Sequence, residues 1–575
     1  MLQILLHTII ISFICMIWGL PAFIFIKKNS NEKYWLNQGI TIFVSLFFMG
    51  LLSLAIISSW FFLLIPLKFS YLVTATIILA LLLVLLYKPD IKKTFGAIDE
   101  PINFTLLQWI FIIAGILLFI ILGTLQPANS DTEIYHLQII RWTNEYAIVP
   151  GLANLYPRLG LGSSWFNLIS LFHIPALKYQ NFTFLNVTIT IWFLLWLISK
   201  WNHHRLQKDN YNKIFSCLYF VLILYFLFDW QLFRDTANST AYDFIVTVLT
   251  IFCLSFLAED IFIKSTGFSF VFIILSISIL AFKLSGIFIL ILSLFYLFRF
   301  RKINLWVKTL AAACVIIIPV LIKNYILTGY ILFPSTFNFA SPEWQVPEIV
   351  TNQFGEYIMN ANKFYNTKLR FIDSYEKTTF NWIPFWIKGI LWQHKLILLL
   401  SLSSLLIFFY RIPFSVDKKR MKLFCVSLWL IMLGWFFTAP DPRFAFGYIL
   451  FLAFFPLCFL LGKYFSPIVQ NIFLSFSILV TVLYISQKIK PVIDQPEYLI
   501  HTVPVNQPPY KTQLNNGLPI HYPEKINGNW NSRCFFTPLP CMNEPNPFVR
   551  LRGNEISKGF RMDQPDSNFI KNYNF

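Results

Sequence analysis

Runs of about 20 apolar residues without a charge recur along this chain, residues 40–65 and 106–123 among them, and that is the length a helix needs to cross a hydrocarbon core. A segment surrounded by lipid has to satisfy its own backbone polar groups, so the runs predict membrane-spanning α-helices. Composition agrees: hydrophobic residues make up 57% of 575 and charged residues 13%, against roughly 45–50% apolar residues in a soluble domain. The first run, residues 2–26, is too long and uniformly apolar for a cleaved leader and has neither a basic start nor a small-residue cleavage site. It is read as a retained span.

The net charge of +18 does not signal nucleic acid, because the basic residues are gathered on no single domain or aromatic face. They sit in short loops between apolar runs. Lys27, Lys28 and Lys33 follow the first run; Lys88, Lys92 and Lys93 the third; Lys200, Arg205, Lys208 and Lys213 the fifth. Arg299, Arg301 and Lys302 form a later group, and Arg411, Lys418, Lys419, Arg420 and Lys422 another. The positive-inside rule places these loops in the cytoplasm. The alternate segments are then external, and they are poorer in Lys and Arg: 66–69, 126–180, 231–240, a break at Lys283, 327–393, 441–443, and the tail after about residue 487. This alternation predicts an all-α polytopic protein of the cell membrane with about fourteen spans and both termini external.

Three segments break the pattern of span and short loop, and all fall on the predicted outer face: 126–180, 327–393 and the tail. Loops this long usually carry function or small helices of their own. The chain therefore divides into a membrane module over 1–486 and an extracytoplasmic tail or cap over 487–575, rich in Pro and Asn and suited to short strands. In the first loop Ile134, Leu137, Gln138, Arg141 and Trp142 recur with helical period, which predicts a helix lying along the bilayer surface and stopped by Val149-Pro150-Gly151. Residues 267–298 are twice too long for one crossing and hold a single charge, Lys283, followed by Leu284-Ser285-Gly286. A break there makes two spans and lifts Lys283 to the outer interface. Trp60, Trp109, Trp192, Trp196, Trp201, Trp230 and Trp392 lie near span ends and read as an interfacial belt. Six cysteines lie inside apolar runs; only Cys534 and Cys541 stand in the polar tail, where an external pair reads as a disulfide.

The densest polar cluster at a membrane boundary is Asn129-Ser-Asp-Thr-Glu-Ile-Tyr-His136, directly after the fourth run. Asp131 at the outer end of a membrane helix is partly desolvated and suited to act as a general base toward a hydroxyl. The same residues are also good helix-capping chemistry. His136 follows Glu133 by three positions, and with Asp131 the three imitate a weak metal site. A true site takes more ligands in tighter geometry, so no metal is expected.

Asp131-Thr-Glu-Ile-Tyr-His-Leu-Gln-Ile-Ile-Arg-Trp142, with Val149-Pro-Gly-Leu-Ala-Asn-Leu-Tyr-Pro-Arg158, Ser163-Ser-Trp165, Ala439-Pro-Asp-Pro-Arg-Phe444 and Leu551-Arg-Gly…Gly559-Phe-Arg561, resembles the C-type (GT-C) membrane glycosyltransferases. More closely, it is similar to a group of bacterial multi-pass proteins of that superfamily. The resemblance implies a GT-C-like bundle, with extra spans before the shared core, since the first large outer loop here follows the fourth span. It also implies transfer of sugar from a polyprenyl-phosphate carrier on the outer face, with an acidic residue of that loop as base. Asp131 matches the position, and Glu133 is its competitor.

Such transfer needs a base for the acceptor hydroxyl and cations for the departing phosphate, on which charge builds in the transition state. Lys283, Arg141, Arg158 and Arg443 are the candidate phosphate-binding cations, each otherwise a headgroup contact or a structural ion pair, as Arg443 with Asp441. Tyr135, His136, Arg234 and Asp235 are assigned to the substrate lining. The expected partners are a polyprenyl-phosphate-linked sugar, membrane lipids, and an acceptor that is lipid, glycan or protein. No glycine-rich nucleotide motif stands out in the cytoplasmic loops. The competing readings are a transporter or flippase of a polyprenyl-linked glycan, and a polymerase or ligase of surface polysaccharide. A flippase would carry ionisable residues along a path through several spans.

Overall fold

A computed structural model describes residues 1–29, 39–96, 104–127, 129–174, 176–177, 182–207, 209–229, 236–263, 270–298, 303–364, 380–408, 418–462, 464–504, 507–525, 533–566, 569 and 573. Arg234 and Asp235 lie outside them, as do Trp230, Lys33, Lys208, Arg299, Arg301, Lys302 and Arg411.

The helices are α1 (Leu2–Asn29), α2 (Gly39–Phe62), α3 (Phe69–Gly96), α4 (Leu106–Thr124), α5 (Leu137–Glu145), α6 (Ser164–Phe172), α7 (Phe184–Leu206), α8 (Asn210–Phe228), α9 (Tyr242–Ile263), α10 (Phe270–Phe282), α11 (Ile287–Phe298), α12 (Ile303–Thr328), α13 (Glu348–Lys363), α14 (Ile383–Gly389), α15 (Trp392–Leu402), α16 (Lys418–Thr438), α17 (Phe446–Leu461), α18 (Pro467–Lys488) and α19 (Lys490–Asp494). Ten apolar stretches among the described residues are long enough to cross a membrane: α1–α4, α7–α9, α12, α16 and α18 with α19. Helices α10, α11 and α17 are apolar but shorter, and α14 and α15 form a pair bent by 120°. The chain is an all-α polytopic membrane protein.

Burial separates centre from rim. In α7 and α9, 83% of the apolar window is buried, against 17% in α3, whose Leu81, Leu85 and Leu86 are exposed and suited to lipid. Between α1 and α2 the backbones touch: a Cβ at Gly19 would lie 2.0 Å from Leu46 O, and one at Gly50 1.6 Å from Cys15 O. Only glycine permits that approach. Buried polar contacts add specificity, Trp192 Nε1 donating to Ser12 Oγ at 2.8 Å and Thr41 meeting Ser199 at 2.9 Å.

Contacts sort the chain into two ends. At one, the Met1 amine donates to Tyr498 O at 2.8 Å and Val503 N to Thr124 O at 2.8 Å, joining the start of α1, the end of α4 and the segment after α19. At the other, Arg205 reaches Asn471 Oδ1 at 3.1 Å and Arg420 reaches Ile261 O at 3.0 Å. The long segments meet on the first end; the described basic-loop residues gather on the second.

The tail folds over the first end. β1 (Tyr510–Asn515) and β2 (Leu518–Pro523) pair antiparallel through Asn516-Gly517, both at positive φ, as a tight hairpin turn demands. β3 (Val549–Leu551) pairs with β4 (Phe560–Met562). Phe560 N donates to Pro150 O at 3.0 Å. At this seam Gly151 and Gly559 both have positive φ, and a Cβ on either would come within 2.0 Å of the opposing carbonyl. Cys534 and Cys541 are joined by a disulfide, closing a short loop whose entropic contribution is about 2–3 kcal/mol. Mass spectrometry of the unreduced protein will show both thiols linked; two free thiols would contradict it.

Two sequence expectations are corrected. Helix α5 does not turn its apolar side to lipid: Leu137, Ile140 and Trp142 are buried between α6 and the tail, where Gln138 Nε2 donates to both Phe535 O and Thr537 O at 3.0 Å. Trp196 and Trp201 are not interfacial but buried in the bundle, Trp201 Nε1 donating to Gln470 Oε1 at 2.7 Å. An aromatic side chain with a satisfied N–H is as stable there as at a boundary.

Candidate functional site

After α4 the chain re-enters helix at Asn129, whose side-chain oxygen accepts from Asp131 N at 2.9 Å. The cap therefore belongs to Asn129, and the Asp131 side chain makes no capping hydrogen bond. The next turn, Thr132–His136, is a wide π-turn closed by Leu137 N–H to Thr132 O, a geometry frequent at functional sites. It sends neighbouring side chains to different places. Asp131, Tyr135 and His136 face a cavity of about 560 Å³, while Glu133 faces the tail.

The cavity lies where the Tyr242 end of α9, the C-terminal half of α12 and α13 meet the break between α10 and α11, and it holds three acid–base pairs. Arg158 Nη1 is 3.3 Å from Asp131 Oδ1, and its Nη2 donates to Tyr357 OH at 2.9 Å. The guanidinium lies against the Tyr135 and Tyr357 rings, 5.4 and 5.5 Å from their centroids. Lys283, extended in the break, pairs with Asp243 and sits 3.2 Å from the centroid of Phe444. Arg443 Nε and Nη2 both reach Asp441 Oδ2, at 2.9 and 2.8 Å, while Asp441 Oδ1 accepts from Arg443 N at 3.0 Å. Pairing lets three cations stand in a largely apolar wall without uncompensated charge. Toward the bundle the wall becomes apolar, with Leu280, Ile287, Phe288, Ile317, Val320 and Leu321.

Ser163-Ser-Trp165 fixes the floor of this site. Ser163 Oγ caps α6 through Trp165 N at 3.1 Å and donates to Phe282 O at 2.7 Å, tying α6 to the end of α10 beside Lys283. Trp165 Nε1 donates to Thr240 O at 3.2 Å, and Thr240 Oγ1 meets His136 Nδ1 at 2.9 Å.

Of the residues singled out from sequence, Asp131, Tyr135, His136, Arg158, Lys283 and Arg443 line this one cavity. Glu133 does not. Its carboxylate takes Arg533 at 3.1 Å and its carbonyl accepts Phe535 N at 2.8 Å, so it holds the tail; burial raises its pKa, with Arg533 opposing. Arg141 is also elsewhere. It donates to Phe536 O at 2.7 Å, pairs with Glu145 and lines a second cavity of about 800 Å³ with Lys68 and Tyr510. Arg234 and Asp235 lie outside the described residues. Among the described residues no group of three or more His, Cys, Asp or Glu is placed to hold a metal ion.

Asp243 was not singled out from sequence, yet a signal existed: it is the one charge between 236 and 258, the same feature that marks Lys283. Tyr357 carried no such signal, since the folded loop alone brings it to Arg158, and neither did Asn324 of α12, which lines the same cavity.

Fold and site thus define a polytopic α-helical membrane protein with a cavity of paired acids and bases at one end of its bundle. Residues 1–450 match the model of a family described as a domain of unknown function (DUF8201), and the chain belongs to that family. The match takes in every residue of the cavity wall and stops before the strands of the tail. No curated protein and no solved structure matches it.

Proposed function

We propose that this protein is a glycosyltransferase of GT-C type that moves a sugar from a polyprenyl-phosphate donor to an acceptor on the outer face of the cell membrane. The observation that carries the reading is the cavity itself: a carboxylate, Asp131, beside three cations, Arg158, Lys283 and Arg443, above an apolar wall that suits a lipid chain. Asp131 takes the proton of the acceptor hydroxyl as its oxygen attacks the anomeric carbon. The bond from that carbon to the phosphate oxygen breaks, and the lipid phosphate leaves with the electron pair. Its growing charge is met by guanidinium and ammonium groups already in place. Because each cation starts on a carboxylate, phosphate binding is an exchange of partners rather than the filling of an unpaired positive site.

With α10, α11, α17 and the bent α14–α15 pair counted as crossings beside the ten long stretches, the bundle has fourteen spans, and the basic loops are cytoplasmic. Reporter fusions after Leu125 and at Phe575 will be active only outside the cytoplasm. A cytoplasmic signal at Leu125 would place Asp131 on the wrong side for an outer-leaflet donor.

The test of function is release of lipid phosphate. Proteoliposomes supplied with a polyprenyl-phosphate hexose and a crude envelope acceptor fraction will release polyprenyl phosphate and label the acceptor. Movement of the lipid-linked sugar between leaflets without either product would put the flippase reading first.

A further inference from the structure

Since the three cations in the cavity each start with a carboxylate, the buried groups there that have no partner say more about what it takes. His136 is 2% exposed, and its Nδ1 lies 2.9 Å from the Thr240 hydroxyl. Thr240 Oγ1 donates to Thr132 Oγ1 at 3.1 Å. With its proton given to Thr132, the Thr240 hydroxyl offers the ring only lone pairs, so Nδ1 carries the imidazole hydrogen. Burial, reinforced by Arg158, Lys283 and Arg443 against the opposing Asp131, lowers the His136 pKa to about 3. The ring is neutral, and Nε2 is a bare acceptor. His136 is itself part of the cavity wall, whereas Thr240 is not. Among the described residues no donor reaches Nε2, and none reaches Asn324 Oδ1 in the same wall.

We propose that His136 Nε2 accepts a hydrogen bond from a hydroxyl of the sugar on the lipid phosphate, with Asn324 Oδ1 accepting a second, which makes His136 a specificity-determining positioning residue; this rests on the glycosyl-transfer reading. A phosphodiester has no hydrogen to offer these atoms, whereas a pyranose presents several. The phosphate is held by the cations and the sugar is read by the acceptors.

The experiment compares methyl geranylgeranyl phosphate, a diester of the same charge, with geranylgeranyl-phosphoryl-glucose as probes of the full-length protein in nanodiscs. The wild type will bind the glucosylated lipid about tenfold more tightly, the worth of one good hydrogen bond. His136→Phe keeps a ring of similar size and loses the acceptor, so that preference vanishes while affinity for methyl geranylgeranyl phosphate stays the same. A loss of packing alone would weaken both probes alike. Should His136→Phe fail to fold, monodeoxyglucosyl forms of the probe on the wild type decide the matter: one of them binds about tenfold worse, and equal binding of all overturns the proposal. A preference retained in His136→Phe, or no preference in the wild type, overturns the role of His136 and leaves glycosyl transfer standing. Failure of the wild type to bind either lipid removes both.

Discussion

Asp131→Asn lowers sugar transfer by about 10²–10⁴-fold, the usual contribution of a general base, with expression and donor binding close to wild type. The helix start survives because Asn129, not Asp131, supplies the cap. Arg158 keeps Tyr357 at 2.9 Å and its place against the Tyr135 ring, so the phosphate side of the site is preserved. The loss should therefore fall on kcat rather than on KM. Glu133→Gln is the internal control: it weakens the contact with Arg533 that holds the tail and leaves transfer largely intact. If Glu133→Gln abolished transfer and Asp131→Asn did not, the base would be Glu133 and the cavity would not be the reaction site.

Glu259→Ala is expected to destabilise the fold by about 3–5 kcal/mol, the range for removing one partner of a buried ion pair. Glu259 Oε2 accepts from Lys200 at 2.8 Å, while Oε1 meets His204 at 3.1 Å and accepts from the Tyr219 hydroxyl. Lys200 is 3% exposed, so deletion of the carboxylate strands its charge inside the bundle. The exposed pair Lys511–Glu524, 3.8 Å apart at the surface of the tail, gives the contrast. Glu524→Ala will change stability by no more than about 0.5 kcal/mol. Heat inactivation in detergent ranks the variants, and equal tolerance of the two changes would show that the Glu259 cluster does not hold the bundle.

The apolar runs fixed where the long helices lie, because no other backbone arrangement is stable in lipid. The single charge within 267–298 marked the break between α10 and α11, and Asn516-Gly517 carries the turn of the tail hairpin in two letters. What stayed hidden depends on which side of a short helix a residue faces and on what covers it. Arg141 and Asp131 are ten positions apart, yet the π-turn and α5 send them to different cavities. The tail that buries α5 arrives from nearly 400 residues away, as Gln138 to Phe535 shows, so local periodicity read that helix as a surface element. Trp196 and Trp201 near a span end look like belt residues until the neighbouring helices are in place.

The most direct test of the account is a cryo-EM map of the purified protein with geranylgeranyl-phosphoryl-glucose bound. The account predicts phosphate density in contact with Arg158, Lys283 and Arg443, the lipid chain along Ile287, Ile317 and Val320, and the sugar beside Asp131 and His136. Phosphate density on Lys68 and Arg141 in the second cavity, or at the Lys200–Glu259 end of the bundle, would contradict it.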